Sequence, residues 1–513
     1  MKKIYFYGSI LGAMLTTAAC STQYDPVADY SDVTEGVTEE QEEIVFPDKN
    51  AVASYMTTLY DGKMRGRQEH WHLDKLLIAE AHSDNAYAGT TGAEVVPYED
   101  NSIEGSNSVV ARDWDRFMTD AAYATKLIVN IDKVADGSLS QSEIDSYRAQ
   151  AEIYRAMIWF DMVRLWGDIP VIKTVAGNIT ADNIEDSYAA YFPAQNTELE
   201  AYQAIEADLL DAVQHAPAGN SADKTVLSRD VAKALLCKIY AEKPLRDYAK
   251  VIRYADELAA AGYDIIDDFT HLYGVDMTPQ EEGSKNLKAT PLELNTKEAI
   301  LEIHYPSGSG NWESWMYGRS LENWDYSFTW AKWITPSRDL IKAFDEAGDV
   351  VRKNESIVYY PCSWSNYYPS DNYAFMYKCR SGYVSNIKYR YADILLLKAE
   401  ALIQTGDLDG AATIIDRIRE RAGLGKLPAS ARSGKDALLN AYLKERRLEL
   451  AFEGERWFDL VRLDKVEEIM NAVYAKDSGR HAQKTPFTQN SYRLPIPQSV
   501  LDANDNLVQN PGY

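Results

Sequence analysis

The sequence is poor in cysteine, in positive charge and in long hydrophobic runs. Four of its 513 residues are cysteine, and 78 acidic side chains against 53 basic ones give a net charge of −25. An acidic surface repels phosphate backbones, so nucleic acid is excluded as a partner. The apolar run from Ile4 to Leu15 is too short for a membrane-spanning helix, which needs about 20 residues.

The signatures of common catalytic sites are also missing. The sequence has no HExxH, no phosphate-binding loop and no GxSxG. His70 and His72 flank Trp71 and would point to different sides of a helix, so they are not expected to share a metal. We therefore predict no metal and no cofactor, and the sequence does not point to a catalytic site. A glycosidase-type acid pair among 78 carboxylates would leave no signature, so a glycoside hydrolase remains an alternative.

The start of the chain has the features of a targeting signal. Two lysines precede the apolar run, the small residues Thr16–Ala19 follow it, and Cys20 comes next. This order is typical of a secretory signal peptide, and bacterial lipoproteins are cleaved and acylated at a cysteine in this position. We predict a signal peptide over residues 1–19 and a lipid on Cys20. The alternative is an ordinary signal peptide cut near Ala19.

An acidic segment follows the predicted anchor. Residues 21–48 contain nine acidic side chains and no Lys or Arg. Such a composition cannot bury enough apolar surface to fold alone, so we predict that residues 20–47 form a tether. Its later end, where Ile44, Val45 and Phe46 cluster, has the apolar residues to pack on the body instead.

The other cysteines fall in two kinds of surroundings. Cys237 lies on an apolar helical face and is predicted to pack rather than react. Cys362 and Cys379 lie in an aromatic loop region. A disulfide in an oxidising compartment and two thiols both fit the sequence there.

The remaining chain is predicted to be mainly α-helical, with an N-terminal region over 48–261 and a C-terminal region over 262–513 in one compact body. Within 148–166, apolar residues recur at helical spacing, and the helix should end at Gly167. Further helices are predicted over 228–243, 246–261, 391–404, 409–421 and 435–453. Their pairing across short turns is typical of tetratricopeptide-like helix pairs, although the copies are too irregular for an array. The charged residues near the end of the last helix are predicted to form ion pairs.

Between residues 262 and 390 the helical period fades and aromatic residues dominate. Five of the eleven tryptophans lie between 312 and 333. Rings on a loop can stack on the apolar faces of sugars, while neighbouring polar groups bond the hydroxyls, so this region is predicted to bind a ligand. Trp330 and Trp333 lead into a helix starting near Pro336 and are predicted to pack in the core.

The candidate ligand-binding residues come from this aromatic region and from an earlier polar loop. They are Trp312, Trp315, Tyr317, Trp324 and Tyr326, with Asp84, Asn85 and Tyr87 as further candidates after an early helix. Trp312, Trp315 and Trp324 lie among Gly, Ser, Asn and Glu and are predicted to be exposed. The structural alternative is that the rings fill the core beneath a long loop.

Several stretches resemble one family. They are Ala81–Ala86 (AHSDNA), Trp114–Asp132, Arg155–Pro170 (RAMIWFDMVRLWGDIP), Thr335–Arg352, Glu445–Leu463 (ERRLELAFEGERWFDLVRL) and Tyr492–Tyr513 (YRLPIPQSVLDANDNLVQNPGY). Together they resemble the SusD/RagB family of surface-exposed, nutrient-binding lipoproteins of Bacteroidota outer membranes. The last two stretches are the most specific.

The resemblance implies a SusD-like fold in which four tetratricopeptide-like helix pairs support a loop-rich ligand-binding region. It also implies a SusC-like TonB-dependent outer-membrane transporter as partner, an anchor in outer-membrane lipid through Cys20, and no catalysis. We therefore expect a cell-surface lipoprotein that captures an oligosaccharide and delivers it to the transporter. The alternatives are a RagB-like protein that captures peptides, a surface glycoside hydrolase, and a structural scaffold without a ligand.

Overall fold

Helices dominate the structure, a computed structural model that describes residues 45–175, 188, 190–279, 287–305, 311–318 and 331–513. The α-helices are α1 Lys49–Thr57, α2 Asp74–Leu76, α3 Val96–Asp100, α4 Ser108–Asn130, α5 Gln141–Trp166, α6 Glu198–His215, α7 Arg229–Ala241, α8 Tyr248–Ala260, α9 Glu313–Met316, α10 Arg338–Ala347, α11 Val350–Ser356, α12 Tyr391–Thr405, α13 Leu408–Arg421, α14 Lys435–Glu449, α15 Arg456–Arg462, α16 Val466–Lys476 and α17 Gln498–Ala503. Turns of π-helix follow α1, at Thr58–Arg65, Glu69–Leu73 and Leu77–Ala81. The prediction of a mainly α-helical protein is confirmed.

Local sequence explains where the longest helix begins and ends. Ser140 and Glu143 form a capping box at the start of α5, in which each side chain pairs with the backbone N–H of the other. Gly167, with φ of 76°, ends the helix as predicted, because glycine adopts positive φ without a steric penalty. Every residue from 149 to 166 is buried, so the predicted apolar stripe is part of a helix that is enclosed on all faces. This enclosure requires partners for its charges, and Arg155 forms two hydrogen bonds with Asp208 at 2.8 and 2.9 Å.

Successive helices pack side by side and carry the core from the first half of the chain into the second. α4 packs on α5, α5 on α6, α6 on α7 and α7 on α8. α8 then contacts α12, which also packs against α7, α13 and α14. The predicted helices over 228–243, 246–261, 391–404 and 409–421 are confirmed as α7, α8, α12 and α13, with ends shifted by one to two residues.

The helix predicted over 435–453 ends earlier, at Glu449. Phe452 and Gly454 have φ of 61° and 75°, and this left-handed backbone cannot continue an α-helix. The turn that they form leads into α15 and brings the charged residues on both sides of it into the core. The predicted end was therefore wrong by one turn.

The described strands form four antiparallel pairs, each of two strands. They are β1 Ala86–Ala88 with β5 Ile334–Pro336, β2 Val275–Pro279 with β3 Leu287–Pro291, β4 Ala299–Ile303 with β8 Asn386–Arg390, and β6 Ile357–Tyr360 with β7 Tyr373–Met376. Since β8 ends at Arg390 and α12 begins at Tyr391, the pairing of β4 with β8 brings β4 next to the start of α12.

The predicted ion pairs around the end of α14 are confirmed, and they are buried. Arg390 bonds Glu298 at 2.7 Å, Glu449 at 2.6 Å and Glu453 at 2.6 Å. Burial opposes ionisation of Glu449, but the guanidinium groups of Arg421, Arg390 and Arg352 hold its pKa well below the usual value. These charges join segments of the chain that lie far apart in sequence.

Residues 46–513 form one compact unit, and residues 1–44, including Cys20, lie outside the described residues. The Phe46 side chain is buried and its ring lies 5.3 Å from that of Tyr55. Asp48 caps α1 by accepting from Ala51 N at 2.9 Å. The later end of the acidic segment is therefore part of the body. Among the described residues, no helix is both long and apolar enough to cross a membrane.

The described cysteines lie among well-packed neighbours. Cys237 is buried on α7 as predicted, and burial raises the pKa of its thiol. Cys362 donates to the carbonyl oxygen of Trp364 at 3.2 Å, and Cys379 to that of Ser381 at 3.8 Å.

Candidate ligand-binding site

Two tryptophans of the aromatic region project from the surface on one short helix. Trp312 immediately precedes α9 and is 42% exposed, and Trp315 lies within α9 and is 57% exposed. Exposed indole rings expose a large apolar area to water, which makes both tryptophans candidates for contact with a ligand. The prediction that Trp312 and Trp315 are exposed is confirmed, whereas ligand contact stays a prediction.

A single asparagine fixes the start of this helix. The Asn311 amide donates to the carbonyl oxygen of Val384 at 2.8 Å and to Asn386 Oδ1 at 2.9 Å. Its own Oδ1 accepts from the backbone N–H of Glu313 at 3.0 Å. Because Asn311 is buried, these bonds hold the helix against the segment before β8.

The same helix is tied to the early π-helical segment. Gln68 Oε1 accepts from the backbone N–H of Trp312 at 3.1 Å. His72 Nε2 lies 2.6 Å from Glu313 Oε2, and both side chains are mostly buried. The two tryptophans are therefore presented by a rigid support rather than by a free loop.

Tyr317 is part of this support, which corrects its prediction as a surface contact. The side chain is fully buried, and its hydroxyl donates to the carbonyl oxygen of Leu73 at 2.6 Å. The next residue, Gly318, lets this segment pack closely on the backbone of Cys379. A Cβ at Gly318 would lie 2.5 Å from the carbonyl oxygen of Cys379.

A cavity of about 370 Å³ opens beside the support of the two tryptophans. Gln68 links this cavity to the support, because its amide donates to the carbonyl oxygen of Arg65, and Arg65 lines the cavity. The other lining residues include Tyr60, Glu302 and His304, and His304 Nε2 lies 2.7 Å from Glu302 Oε2. A mainly apolar cavity of this size with a few hydrogen-bonding groups is the usual makeup of a small-ligand site.

The remaining candidates of the aromatic region divide into two groups. Trp324 and Tyr326 lie outside the described residues, and so does Trp330. Trp333 is only partly exposed, and its carbonyl oxygen accepts from Gly89 N at 2.9 Å. It lies between the exposed helix and α10, whose start at Arg338 agrees with the predicted helix near Pro336.

The earlier polar loop is not on the surface, so the placement of Asp84 and Asn85 there is wrong. Asp84 is buried and accepts two bonds from Arg456, at 2.7 and 2.8 Å. Burial opposes its ionisation, but Arg447 and Arg456 hold its pKa far below the usual value. Asn85 donates to Glu80 Oε2 at 2.8 Å and accepts from Arg447 Nε at 2.9 Å. Their arginine partners, Arg447 and Arg456, are on α14 and α15, and the sequence around residues 84 and 85 could not indicate them.

Tyr87 is likewise inside the protein. Its ring stacks on that of Tyr367, with centroids 4.5 Å apart and an angle of 6° between the planes. Its hydroxyl donates to Asp477 Oδ2 at 2.7 Å. The ring belongs to a buried aromatic cluster with Tyr373 and Phe375, so Tyr87 stabilises the fold.

The residues that complete the site were missed from the sequence. Gln68, His72 and Arg65 precede the tryptophans by more than 230 residues, and no local pattern distinguishes them from other polar residues of a helix. Within the described part of the chain, no group of three His, Cys, Asp or Glu side chains is arranged to hold a metal ion.

Two family models match the chain. One, described as the SusD family, matches residues 347–513, and the other, described as starch-binding associating with outer membrane, matches residues 29–241. The SusD-like protein P2 of Formosa agariphila is 26% identical over 477 residues, covering 85% of this chain and 87% of the relative.

Over residues 29–241 and 347–513 the chain is SusD-like.

Solved structures show that its fold is the SusD-like fold. A laminarin-binding SusD-like protein superposes with a TM-score of 0.66 at 22% identity, over 91% of this chain and 100% of that protein. Surface glycan-binding protein A from Bacteroides fluxus superposes with a TM-score of 0.68 at 20% identity, over 91% and 100%. The SusD-like fold therefore extends over nearly the whole chain.

Proposed function

We propose that this SusD-like protein is a cell-surface glycan-binding lipoprotein that captures an oligosaccharide and delivers it to a SusC-like TonB-dependent transporter. Cys20 would carry the lipid that anchors it in the outer membrane. The observation that carries the proposal is the pair of exposed indoles, Trp312 and Trp315, on a helix fixed at both ends beside a mainly apolar cavity with a few hydrogen-bonding groups.

The chemistry of this surface suits a sugar. An indole face stacks on the apolar C–H face of a pyranose and excludes water from it. Arg65, Glu302 and His304 offer donors and acceptors within the neighbouring cavity, where they can orient hydroxyl groups. The rigid support lowers the entropy cost of binding, because the rings do not have to be ordered first.

The comparisons favour a glycan over a peptide as the ligand class. One matching family model is described as starch-binding, and two of the similar structures are named for laminarin and for surface glycans. The same family description names association with the outer membrane, which supports a role beside a transporter.

A screen of the soluble chain lacking residues 1–20 tests the ligand class. The protein is applied to arrays of oligosaccharides and of peptides, and each glycan that binds is then measured with Trp312→Ala/Trp315→Ala. We expect glycan binding that falls at least tenfold in the double variant while the melting temperature is unchanged, because both side chains are exposed.

The matched control is Tyr359→Ala, which removes an exposed ring from β6. It should bind as the wild type does. Equal binding by wild type and the double tryptophan variant would refute the site, and binding to peptides alone would refute the ligand class. New reducing ends in a bound polysaccharide would instead identify a hydrolase.

A further inference from the structure

A second cavity lies within the 485–513 region, and the proposed glycan site does not use it. It has a volume of about 470 Å³ and is enclosed by the 101–105 turn, the 485–491 segment and the 509–513 segment. This volume is within the range of about 300–1,000 Å³ that small-ligand sites occupy. None of its lining residues belongs to the cavity beside Trp312.

The lining is rich in neutral hydrogen-bonding side chains. It includes Asn490, Gln498, Thr485 and Thr488 together with the ring of Tyr513, and Glu104 is its single charged residue. No Lys, Arg or His is among the described residues that line it, so a phosphate or carboxylate ligand would have no counter-charge. An apolar ligand would leave the amide and hydroxyl groups unpaired.

The walls of this cavity are preformed. Asn101, in the left-handed region with φ of 57°, donates to the carbonyl oxygen of Thr485 at 2.8 Å and to Ser491 Oγ at 3.2 Å. Gln509 accepts from Ile496 N at 2.7 Å and donates to its carbonyl oxygen at 2.9 Å. The segments on both sides are therefore held without a ligand.

One edge of the cavity depends on a glycine. Gly512 has φ of 102°, and a Cβ there would lie 2.8 Å from the Cβ of Asn490. The 485–491 and 509–513 segments therefore approach each other as closely as glycine allows. Tyr513 follows, with its hydroxyl donating to the carbonyl oxygen of Arg493 at 3.0 Å and 43% of the residue exposed. A partly exposed ring with a fixed hydroxyl can pack on a ligand without losing side-chain entropy.

We propose that this cavity binds a neutral polyhydroxylated ligand, a sugar unit, as a second glycan contact separate from the Trp312 surface. Thr485 and Asn490 are exposed in it, and neither side chain has a hydrogen-bond partner among the described residues. They are the groups available to a hydroxyl-bearing ligand, while the Tyr513 ring supplies the apolar contact. The choice of glycans as probes rests on the proposed function, but the cavity itself does not.

Saturation-transfer NMR of the soluble chain with laminarin oligosaccharides and with maltooligosaccharides tests the second contact. Trp312→Ala/Trp315→Ala removes the first surface and leaves the cavity unchanged. We expect a residual signal from at least one probe in this variant. Addition of Thr485→Val/Asn490→Ala should abolish that signal, whereas Gln214→Ala, an exposed amide on α6, should preserve it.

The outcomes separate the two proposals. No residual signal in the tryptophan variant, or a residual signal that survives Thr485→Val/Asn490→Ala, overturns the second contact. If the tryptophan variant gives no residual signal while the wild type binds strongly, the Trp312 surface still stands. If the tryptophan variant binds as the wild type does and the cavity changes abolish binding, the second contact stands and the Trp312 surface falls.

Discussion

His72 Nε2 lies 2.6 Å from Glu313 Oε2, and this contact fastens the helix that displays Trp312 and Trp315 to a segment 241 residues earlier. It is a link between the two halves of the chain at the point where a ligand is proposed to bind. The exposed rings thus depend on a buried pair for their position.

Removal of this pair should weaken glycan binding without removing a ligand contact. In Glu313→Ala, α9 loses its tie to His72, and a hydrogen bond with an ionisable partner contributes about 1.5 kcal/mol, roughly a tenfold loss of affinity. Titration calorimetry with a glycan from the array screen measures it. Glu293→Ala removes another carboxylate at 2.6 Å from a histidine, His271, and should bind normally. An equal loss in both variants would contradict the positioning role.

Asp84→Asn should unfold the protein more readily rather than act on binding. The substitution leaves Arg456 buried without its counter-charge, which costs about 3–5 kcal/mol. Guanidinium denaturation measures the change in the free energy of unfolding. Glu468→Gln, which breaks the exposed pair with Lys465 at 2.6 Å, should cost less than about 1 kcal/mol. A variant of Asp84 with wild-type stability and no glycan binding would restore the residue as a ligand contact.

The stability of the protein should depend on His82 at acidic pH. Burial lowers the pKa of His82 to about 4, against 6.5 for an ordinary histidine, while its Nδ1 donates to the carbonyl oxygen of Tyr98 at 2.6 Å. Between pH 6.5 and 4 the unfolded chain binds a proton at His82 and the folded chain does not. The contribution of His82 to the free energy of unfolding therefore falls as the pH drops from 6.5 to 4. At about 1.4 kcal/mol per pKa unit, the loss reaches roughly 3 kcal/mol.

His82→Gln removes this titration and keeps a group that can donate to Tyr98. The variant should therefore be less stable than wild type by a wider margin at pH 7.5 than at pH 4.5, as measured by denaturant titration at each pH. Gln214→Ala, at an exposed residue of α6 that does not titrate, should leave the pH dependence unaltered. A margin that is the same at both pH values would exclude the buried neutral imidazole.

Cys20→Ala should release the protein from the outer membrane. The expected lipid attaches through the cysteine thiol, and an alanine side chain has no thiol. Fractionation of cells lacking the proposed transporter measures the distribution between membrane and soluble fractions. Ser21→Ala keeps the thiol and should remain in the membrane fraction, and Cys20→Ala that also remains there would contradict the anchor.

Much of the helical framework could be predicted from the sequence. The start and end of α5 follow from Ser140, Glu143 and Gly167, and the turn at Gly406 separates α12 from α13. These signals are local, since caps and glycines act within one turn of the backbone. The exposure of Trp312 and Trp315 could also be predicted, from the small and polar residues beside them.

The support of the site could not be predicted, because it is made of contacts between remote segments. Asp84 and Asn85 have the composition of a surface loop, and only the arginines on α14 and α15 make their burial possible. The same holds for Gln68 and His72, which have no distinguishing neighbours in sequence. Polar residues that are buried against distant partners look like solvated ones until the fold is known.

The buried pair of Asp84 with Arg456 also has a kinetic consequence, since its members are 372 residues apart. Burial of either charge without the other is unfavourable, so this part of the core should form late in folding, after nearly the whole chain is available. Folding should therefore be slow for a helical protein, because this contact joins segments that are remote in sequence.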